Sequence, residues 1–582
     1  MVLTPRKTMT NSMIKKDLLS QLLYEAQAYN KFEDIEKLVE SGGDLSMIPI
    51  QPLFVSLQNT SKDQFALILP KLSHDQRQAL RDIDLWQKDV IDPDSANFWL
   101  EVYSKCPDEE IQLEFIKSED FLLSIKNQLS ISTFDVEDPL YPDDDNYFLT
   151  EDNQLLIAYP EDFYLANELK EMIRKLYSDL GVEHAYTFLF KMIVDSYQVM
   201  EENNYQQKKE RLRDFGFVDY FESLEYNACF LNFDAIDLFI KNKKTLTPQI
   251  DSLSLNQSLH STSLVAYQTS LNEIKQALND VKSEARAKFL HFNFIRLVNA
   301  RMSYVGALKS GSLAMTKIGH QTRSQLELGF EYVIQKRGPG ENIFELFDFF
   351  DLFKVGHSLV EINQKKLKKI LSTTPFEKDD FSYFLGMYWN SFLEHSYSEL
   401  PAFKFDGSSK PQEINNLKTY KMWLNSSETF LQSLPFIQSF FSSLEKLKLD
   451  NLLNDQFYLN YEVDNIDFEA IMISSFINFC SGHLFEESRG KMGVTVAELK
   501  VFFETYFIKN GAEFLIKGID DSILKSKTQE FLTKFGLSDV HEFAIYIYQI
   551  LVEQLNGYEI DVMSEEEFKH IGGPILLNTV KN

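Results

Sequence analysis

The sequence predicts an all-α protein, a multi-helix array or superhelix with one small β-hairpin near residues 147–159. Three observations carry that expectation. Forty-nine Phe and 26 Tyr stand against only 22 Gly and 16 Pro in 582 residues, the balance of long packed helices with few turns. Apolar residues recur at helical spacing along most of the chain, as in Phe98, Trp99 and Val102. Helix starts are also legible. Ser73-x-x-Gln76 and Thr495-x-x-Glu498 have the spacing of capping boxes, and Asp92-Pro93 is an N-cap followed by proline at the first helical position.

Taken in order, residues 1–44 read as an N-terminal helical arm of two helices between Met13 and Leu38, ended by Ser41-Gly42-Gly43. Residues 45–133 form a module of short helices. Pro49 and Pro52 suit a first turn ahead of Leu53, Phe54 and Leu57, further helices follow Ser61, Ser73 and Asp92, and Glu109 to Leu129 continues helical. The acidic, Pro-broken stretch 134–146 is a linker. Residues 147–240 begin with the hairpin, Tyr147–Thr150 against Gln154–Tyr159, and continue as four helical segments, roughly 163–180, 183–201, 205–215 and 218–229. Gly216 suits a helix stop with Arg211 and Arg213 in the preceding turn.

A second linker spans 241–262, and a central helical core spans 263–375. Within it we expect a helical hairpin to Leu308, a helix from about Gln321 to Arg337 stopped by Gly338-Pro339-Gly340, and a helix over IFELFDFFDLFKVGHSL. That last helix, with Phe344, Phe347, Phe349, Phe350 and Phe353, is apolar nearly all round and marks the core. Residues 376–556 form a C-terminal helical domain with helices over 383–397, 420–449, 468–485, 495–507 and 541–555 and a loop over 402–418; residues 557–582 read as a frayed tail.

Several of these stretches resemble an uncharacterised bacterial family, one of the domains of unknown function. They are Pro49-x-Gln51-x-Leu53, Leu69-Pro70, Ser73-x-x-Gln76, Asp82-x-Asp84-x-Trp86, Arg211-Leu-x-Asp214-x-Gly216-Phe217-x-x-Tyr220, Leu328-Gly329-Phe330-Glu331 and Leu352-Phe353-Lys354-Val355-Gly356. The likeness covers about Leu45 to about Leu371 and implies kinship without a reaction. More loosely, the opening helices resemble the cytosolic helical module of magnesium transporters.

Charge and motifs narrow the function by exclusion. A formal charge of −29 is the wrong field for a nucleic-acid backbone or an anionic membrane, and the basic run Lys365-Lys-x-Lys-Lys369 is a short helix face. No run reaches the roughly 18 apolar residues of a spanning helix. Cys106, Cys229 and Cys480 lie far apart, as in a reducing compartment, and no signal peptide is legible, so a cytoplasmic protein is expected. No nucleophile elbow, dinucleotide loop or phosphate loop is present. Gly338-Pro339-Gly340 reads as a helix stop, Asp143-Asp144-Asp145 as a solvated loop, and Cys480-Ser-Gly-His483 as a half-site lacking its other half. We therefore expect no cofactor and no bound metal, and an interaction scaffold or regulatory protein whose partner is another protein. A divalent-cation-responsive module and an enzyme of unrecognised type are the alternatives. The candidate interaction surface is Asp82, Asp84, Trp86 and Asp89, where carboxylates surround an aromatic anchor.

Overall fold

The computed structural model describes residues 45–48, 50–58, 60–244, 272–338, 340, 342–403, 411–449, 457–458, 466–483, 493–511, 513–518, 521–537, 541–557 and 575–578. The N-terminal arm, Pro49 and most of the 241–262 linker lie outside them.

Helices begin where the sequence offers a cap. Helix α1 (Ile50–Leu57) is followed by α2 (Lys62–Ile68) and α3 (His74–Asp84), both opened by capping boxes, at Ser61 and Ser73. At the second, the Ser73 backbone N–H donates to Gln76 Oε1 at 3.0 Å while the Gln76 N–H donates to Ser73 Oγ at 3.2 Å. Asp92 caps α4 (Pro93–Ser104) through Oδ2, which accepts from the Ser95 N–H at 3.2 Å. The expected run from Glu109 to Leu129 is two helices, α5 (Glu109–Ile116) and α6 (Glu119–Lys126), because Ser118 caps a new start.

The β content is larger than the one expected hairpin, though every sheet is small. Between α3 and α4, β1 (Trp86–Gln87) pairs antiparallel with β2 (Val90–Ile91), with Lys88 at φ +62° in the turn. Strand β3 (Ser130–Thr133), expected within the helical module, joins β4 (Tyr147–Leu149) and β5 (Leu155–Ala158) in a three-stranded sheet ordered β3-β5-β4. Alternating Ser, Ile, Ser and Thr suits such an edge better than a helix.

Helices α7 (Ala166–Leu180), α8 (Val182–Val194), α9 (Tyr197–Asp214) and α10 (Tyr220–Tyr226) follow. The break between α8 and α9 falls at Ser196, an N-cap, several residues earlier than the apolar pattern suggested. Gly216 ends α9 at φ +78°, its N–H donating to Arg213 O at 2.9 Å. After α11 (Phe233–Asn242) and α12 (Asn272–Asn279) come α13 (Glu284–Val305), α14 (Gly311–Arg337), the single turn α15 (Ile343–Leu346) and α16 (Phe349–Leu371). The expected Phe-rich helix is thus interrupted at Phe347-Asp348, where the Asp351 N–H donates to Asp348 Oδ1 and opens a new helix.

The chain divides into two compact units, the first running to Cys229 and resuming from Asp234 to His357, the second comprising Phe230–Phe233 and Ser358 onward. In the first unit, α14 and α16 meet backbone to backbone at Gly329 and Gly356. A Cβ at Gly329 would lie 1.9 Å from Leu352 O, and one at Gly356 would lie 1.8 Å from Gln325 O. Only hydrogen fits there.

The second unit contains α17 (Pro375–Lys378), α18 (Gly386–Ser396), the ribbon β6 (Ala402–Phe403) with β7 (Gln412–Glu413), α19 (Leu417–Leu449) and β8 (Phe457–Tyr458). These are followed by α20 (Phe468–Cys480), α21 (Val496–Tyr506), the hairpin β9 (Phe507–Asn510) and β10 (Glu513–Ile516), α22 (Ser522–Lys534), α23 (His541–Leu555) and β11 (Leu577–Asn578). Helix α20 is buried without interruption from Phe468 to Asn478. Its own Phe468 packs edge to face on Phe436, which meets Phe531, Phe535 and Phe543 in the same way. The expected frayed tail is packed at residues 575–578: Ile575 and Leu576 are buried, and β11 pairs with β8. The expected loop at 402–418 holds the β6–β7 ribbon and the first residues of α19.

Two predictions follow from packing. Gly329→Ala should lower stability by about 1–3 kcal/mol or more, since a backbone oxygen blocks the methyl group, while Gly340→Ala, with open space around it, should change it by less than about 0.5 kcal/mol; urea denaturation reads both. In the second unit, Glu469 accepts the Tyr388 N–H at 2.7 Å, and burial pushes its carboxyl up to about 7. The folded state then binds more protons than the unfolded one between about pH 4.5 and 7, so this contribution is full below that window and lost as pH rises through it. Melting curves from pH 5 to 8 should fall accordingly, by at most about 3 kcal/mol, and Glu469→Gln should flatten the decline.

Candidate functional site

The first unit is organised around a group of four charges, three of them buried and the fourth, Arg211, a third exposed. Arg81 on α3, 1% exposed, donates through Nε to Asp120 Oδ2 at 3.1 Å and stacks over Tyr103 and Phe115 with Cζ 5.4 and 5.5 Å from the ring centroids. The next residue of α3, Asp82, also 1% exposed, receives both prongs of Arg211 on α9, Nε to Oδ2 at 2.8 Å and Nη2 to Oδ1 at 2.7 Å. The side-chain amide of Gln78 bridges the two carboxylates, 3.1 Å from Asp82 and 3.0 Å from Asp120, and Asn204 donates to Asp120 at 3.2 Å. The net charge is zero and the lone pairs are used, which is what makes such burial tolerable. Burial raises the Asp82 carboxyl above its ordinary range despite Arg211. Burial would raise Asp120 as well, but Arg81, Gln78 and Arg211 together hold it below.

Next to this group lies a cavity of about 600 Å³. The end of α3 and the β1–β2 turn supply Asp82, Trp86 and Lys88; α9 supplies Lys208, Lys209 and Leu212; the approach to α10 supplies Phe217, Asp219 and Tyr220; and the end of α13 with the turn after it supplies Met302, Tyr304 and Lys309. Its carboxylates are already committed. Asp82 holds Arg211, Asp92 caps α4, and Asp219 caps α10 while accepting the Tyr205 hydroxyl. Four lysines therefore face three occupied aspartates, and one of the four, Lys309, is held in turn by Asp84, its Nζ 3.9 Å from Oδ1. Lys88 Nζ lies 4.7 Å from the Tyr220 ring centroid. Lys208, only 8% exposed, places Nζ 4.7 Å from the Trp86 ring and 4.9 Å from the Tyr205 ring, and donates to Lys88 O at 3.2 Å.

The four residues singled out from the sequence are separated by this arrangement. Asp82 and Trp86, 4% exposed, are buried and line the cavity. Asp84 faces a second cavity of about 580 Å³, accepts the Trp99 indole N–H at 3.0 Å, and its backbone oxygen accepts from Lys309 Nζ at 2.6 Å. Burial raises its carboxyl, with Lys309 and Trp99 opposing. Asp89 is exposed in the β1–β2 turn. Sequence reading missed the lysines. A Lys-Lys pair in a helix as polar as α9 looks like solvated surface, and only the tertiary fold turns Lys208 inward.

Other sequence features resolve into structure. Lys336 pairs with Asp237 at 2.6 Å, and Arg337 donates to Ile240 O at 2.7 Å and Lys243 O at 2.9 Å, so the basic pair before Gly338 binds its own chain. His483 Nε2 lies 2.6 Å from Glu498 Oε1, while Oε2 of the same carboxylate closes the Thr495 capping box at 2.8 Å. Burial pushes the Cys480 thiol up to about 12, which keeps it protonated. Among the described residues no three His, Cys, Asp or Glu side chains gather as metal ligands, and no helix is long and apolar enough to cross a membrane.

Fold and site together define a predominantly α-helical protein with a largely buried charge quartet beside a lysine-lined cavity. The chain belongs to DUF6178, a family of unknown function, which matches residues 11–556. No curated protein and no solved structure matches it, so the likeness to magnesium transporters gains no support.

The quartet generates its own prediction. Arg211→Met should destabilise the protein by about 3 kcal/mol, the low end for a broken buried pair because Arg211 is a third exposed. Adding Asp82→Asn should recover about 1–2 kcal/mol, a coupling readable in a urea double-mutant cycle.

Proposed function

We propose that the protein is a regulatory helical protein whose first unit binds a small anionic ligand, with another protein as the recipient of the signal. The observation that supports this reading is the charge balance of the 600 Å³ cavity: Lys88, Lys208 and Lys209, with Lys309 beside Asp84, against three carboxylates each already held by the protein. In a chain of net charge −29, such a local surplus of cations is a departure that an anion would satisfy. The volume falls in the range of small-molecule sites, and Trp86, Tyr220 and Tyr304 offer flat apolar walls for the body of a ligand. The divalent-cation reading is less favoured, since a metal at Asp82 would have to displace a bidentate Arg211.

Thermal shift against small carboxylates, organic phosphates and magnesium tests the proposal. A fitting anion at 100 times its Kd should add about 2.7 kcal/mol of stability, and Lys88→Asn with Lys209→Gln should weaken it at least about tenfold. A rise with magnesium alone, lost in Asp84→Asn, would overturn this reading in favour of the cation-responsive one.

A further inference from the structure

We propose that Lys208 Nζ is an amine nucleophile that captures a small carbonyl compound bearing a carboxylate or phosphate, holding it in this cavity as an imine. The inference deepens, and rests on, the reading of the cavity as an anion site. Three features of the geometry support it. Lys208 is nearly buried yet lines a space large enough for a small molecule. Its Nζ makes no ion pair among the described residues; it lies near the Trp86 and Tyr205 rings and has one hydrogen bond, to Lys88 O at 3.2 Å, so attack on a carbonyl breaks a single neutral contact. Lys88 and Lys209 share the cavity, with Lys309 held beside Asp84 at its edge, so the ligand's anionic group has cations to bind while its carbonyl meets Lys208.

Burial lowers the Lys208 ammonium to about 8, with Lys309 acting in the same direction and Asp219, Asp82 and Asp89 opposing. A much larger fraction of this amine is therefore unprotonated near neutral pH than of an exposed lysine, the condition an imine-forming lysine needs. The step balances without a further reagent. The nitrogen lone pair adds to the carbonyl carbon, a proton passes from nitrogen to oxygen to give a carbinolamine, and the oxygen leaves as water with the second amine proton as the carbon–nitrogen double bond forms. No oxidant or reductant takes part, and hydrolysis returns the carbonyl compound.

Reductive trapping on the full chain tests the proposal. Glyoxylate supplies an aldehyde with a carboxylate, glycolaldehyde phosphate an aldehyde with a phosphate, and uncharged glycolaldehyde the control; each is incubated at pH 8 with sodium cyanoborohydride and the adducts are mapped by peptide mass spectrometry. We expect Lys208 to be modified on the order of tenfold faster than exposed lysines such as Lys365 by at least one of the charged aldehydes, with the preference gone for glycolaldehyde. Which charged aldehyde shows it assigns the anionic group. K208R should abolish the adduct, and an undiminished cavity adduct on Lys209 in that variant would overturn the assignment. If Lys208 shows no preference while the same anions still raise the melting temperature, imine formation is refuted and the binding pocket stands. If neither occurs, both fall. The selectivity in the unsubstituted chain is informative even where K208R fails to fold.

Discussion

The pairing of Asp82 with Arg211 is the constraint on which the first unit depends. Asp82 sits beside Arg81 on α3, so one short helix delivers two opposite charges into the same interior, and each needs a partner from elsewhere in the chain. Asp120 on α6 and Arg211 on α9 supply them. Removing either partner of Arg81 or Asp82 leaves a buried charge uncompensated, which is far more costly than the pair was favourable. The quartet therefore specifies the docking of three helices, and the cavity beside it inherits its walls from that docking.

The resembling stretches noticed in the sequence turn out to be partners of one another. Asp82 belongs to one and Arg211 to another, and they form the bidentate pair. Gly329 and Gly356 come from two further stretches and lie where α14 and α16 touch through their backbones. Such residues identify a fold without identifying a reaction. Asp82 and Arg211 hold charge in the interior, and the glycines permit an approach that any side chain would prevent.

Much of the fold was legible because local chemistry decided it. The boxes at Ser73 and Thr495, the cap at Asp92 and the stop at Gly216 all act within a few residues, and each stands where its spacing implied. What escaped was set by tertiary partners. Strand β3 exists because β5 lies beside it, and Ile575 and Leu576 are ordered by neighbours roughly a hundred residues earlier, with the Leu576 N–H donating to Ser474 Oγ at 2.8 Å. The candidate site was half legible. Asp82 and Trp86 do line the cavity, whereas the local sign for Lys208 was faint, a sparse apolar stripe of Met200, Tyr205 and Leu212 in an otherwise polar helix.

A lysine-lined recess inside a chain of charge −29 has a kinetic consequence. An anion approaching from far away meets a repelling field and is drawn in only within a few ångströms of the mouth. Dissolved salt screens the long-range repulsion over a Debye length of about 8 Å at physiological ionic strength, and it screens the exposed Lys88 and Lys309 as well, while reaching the nearly buried Lys208 much less. Added salt thus eases the approach of an anion from afar while weakening the grip of the exposed lysines at the mouth, so the two effects oppose each other, whereas at an openly basic protein both act to weaken association.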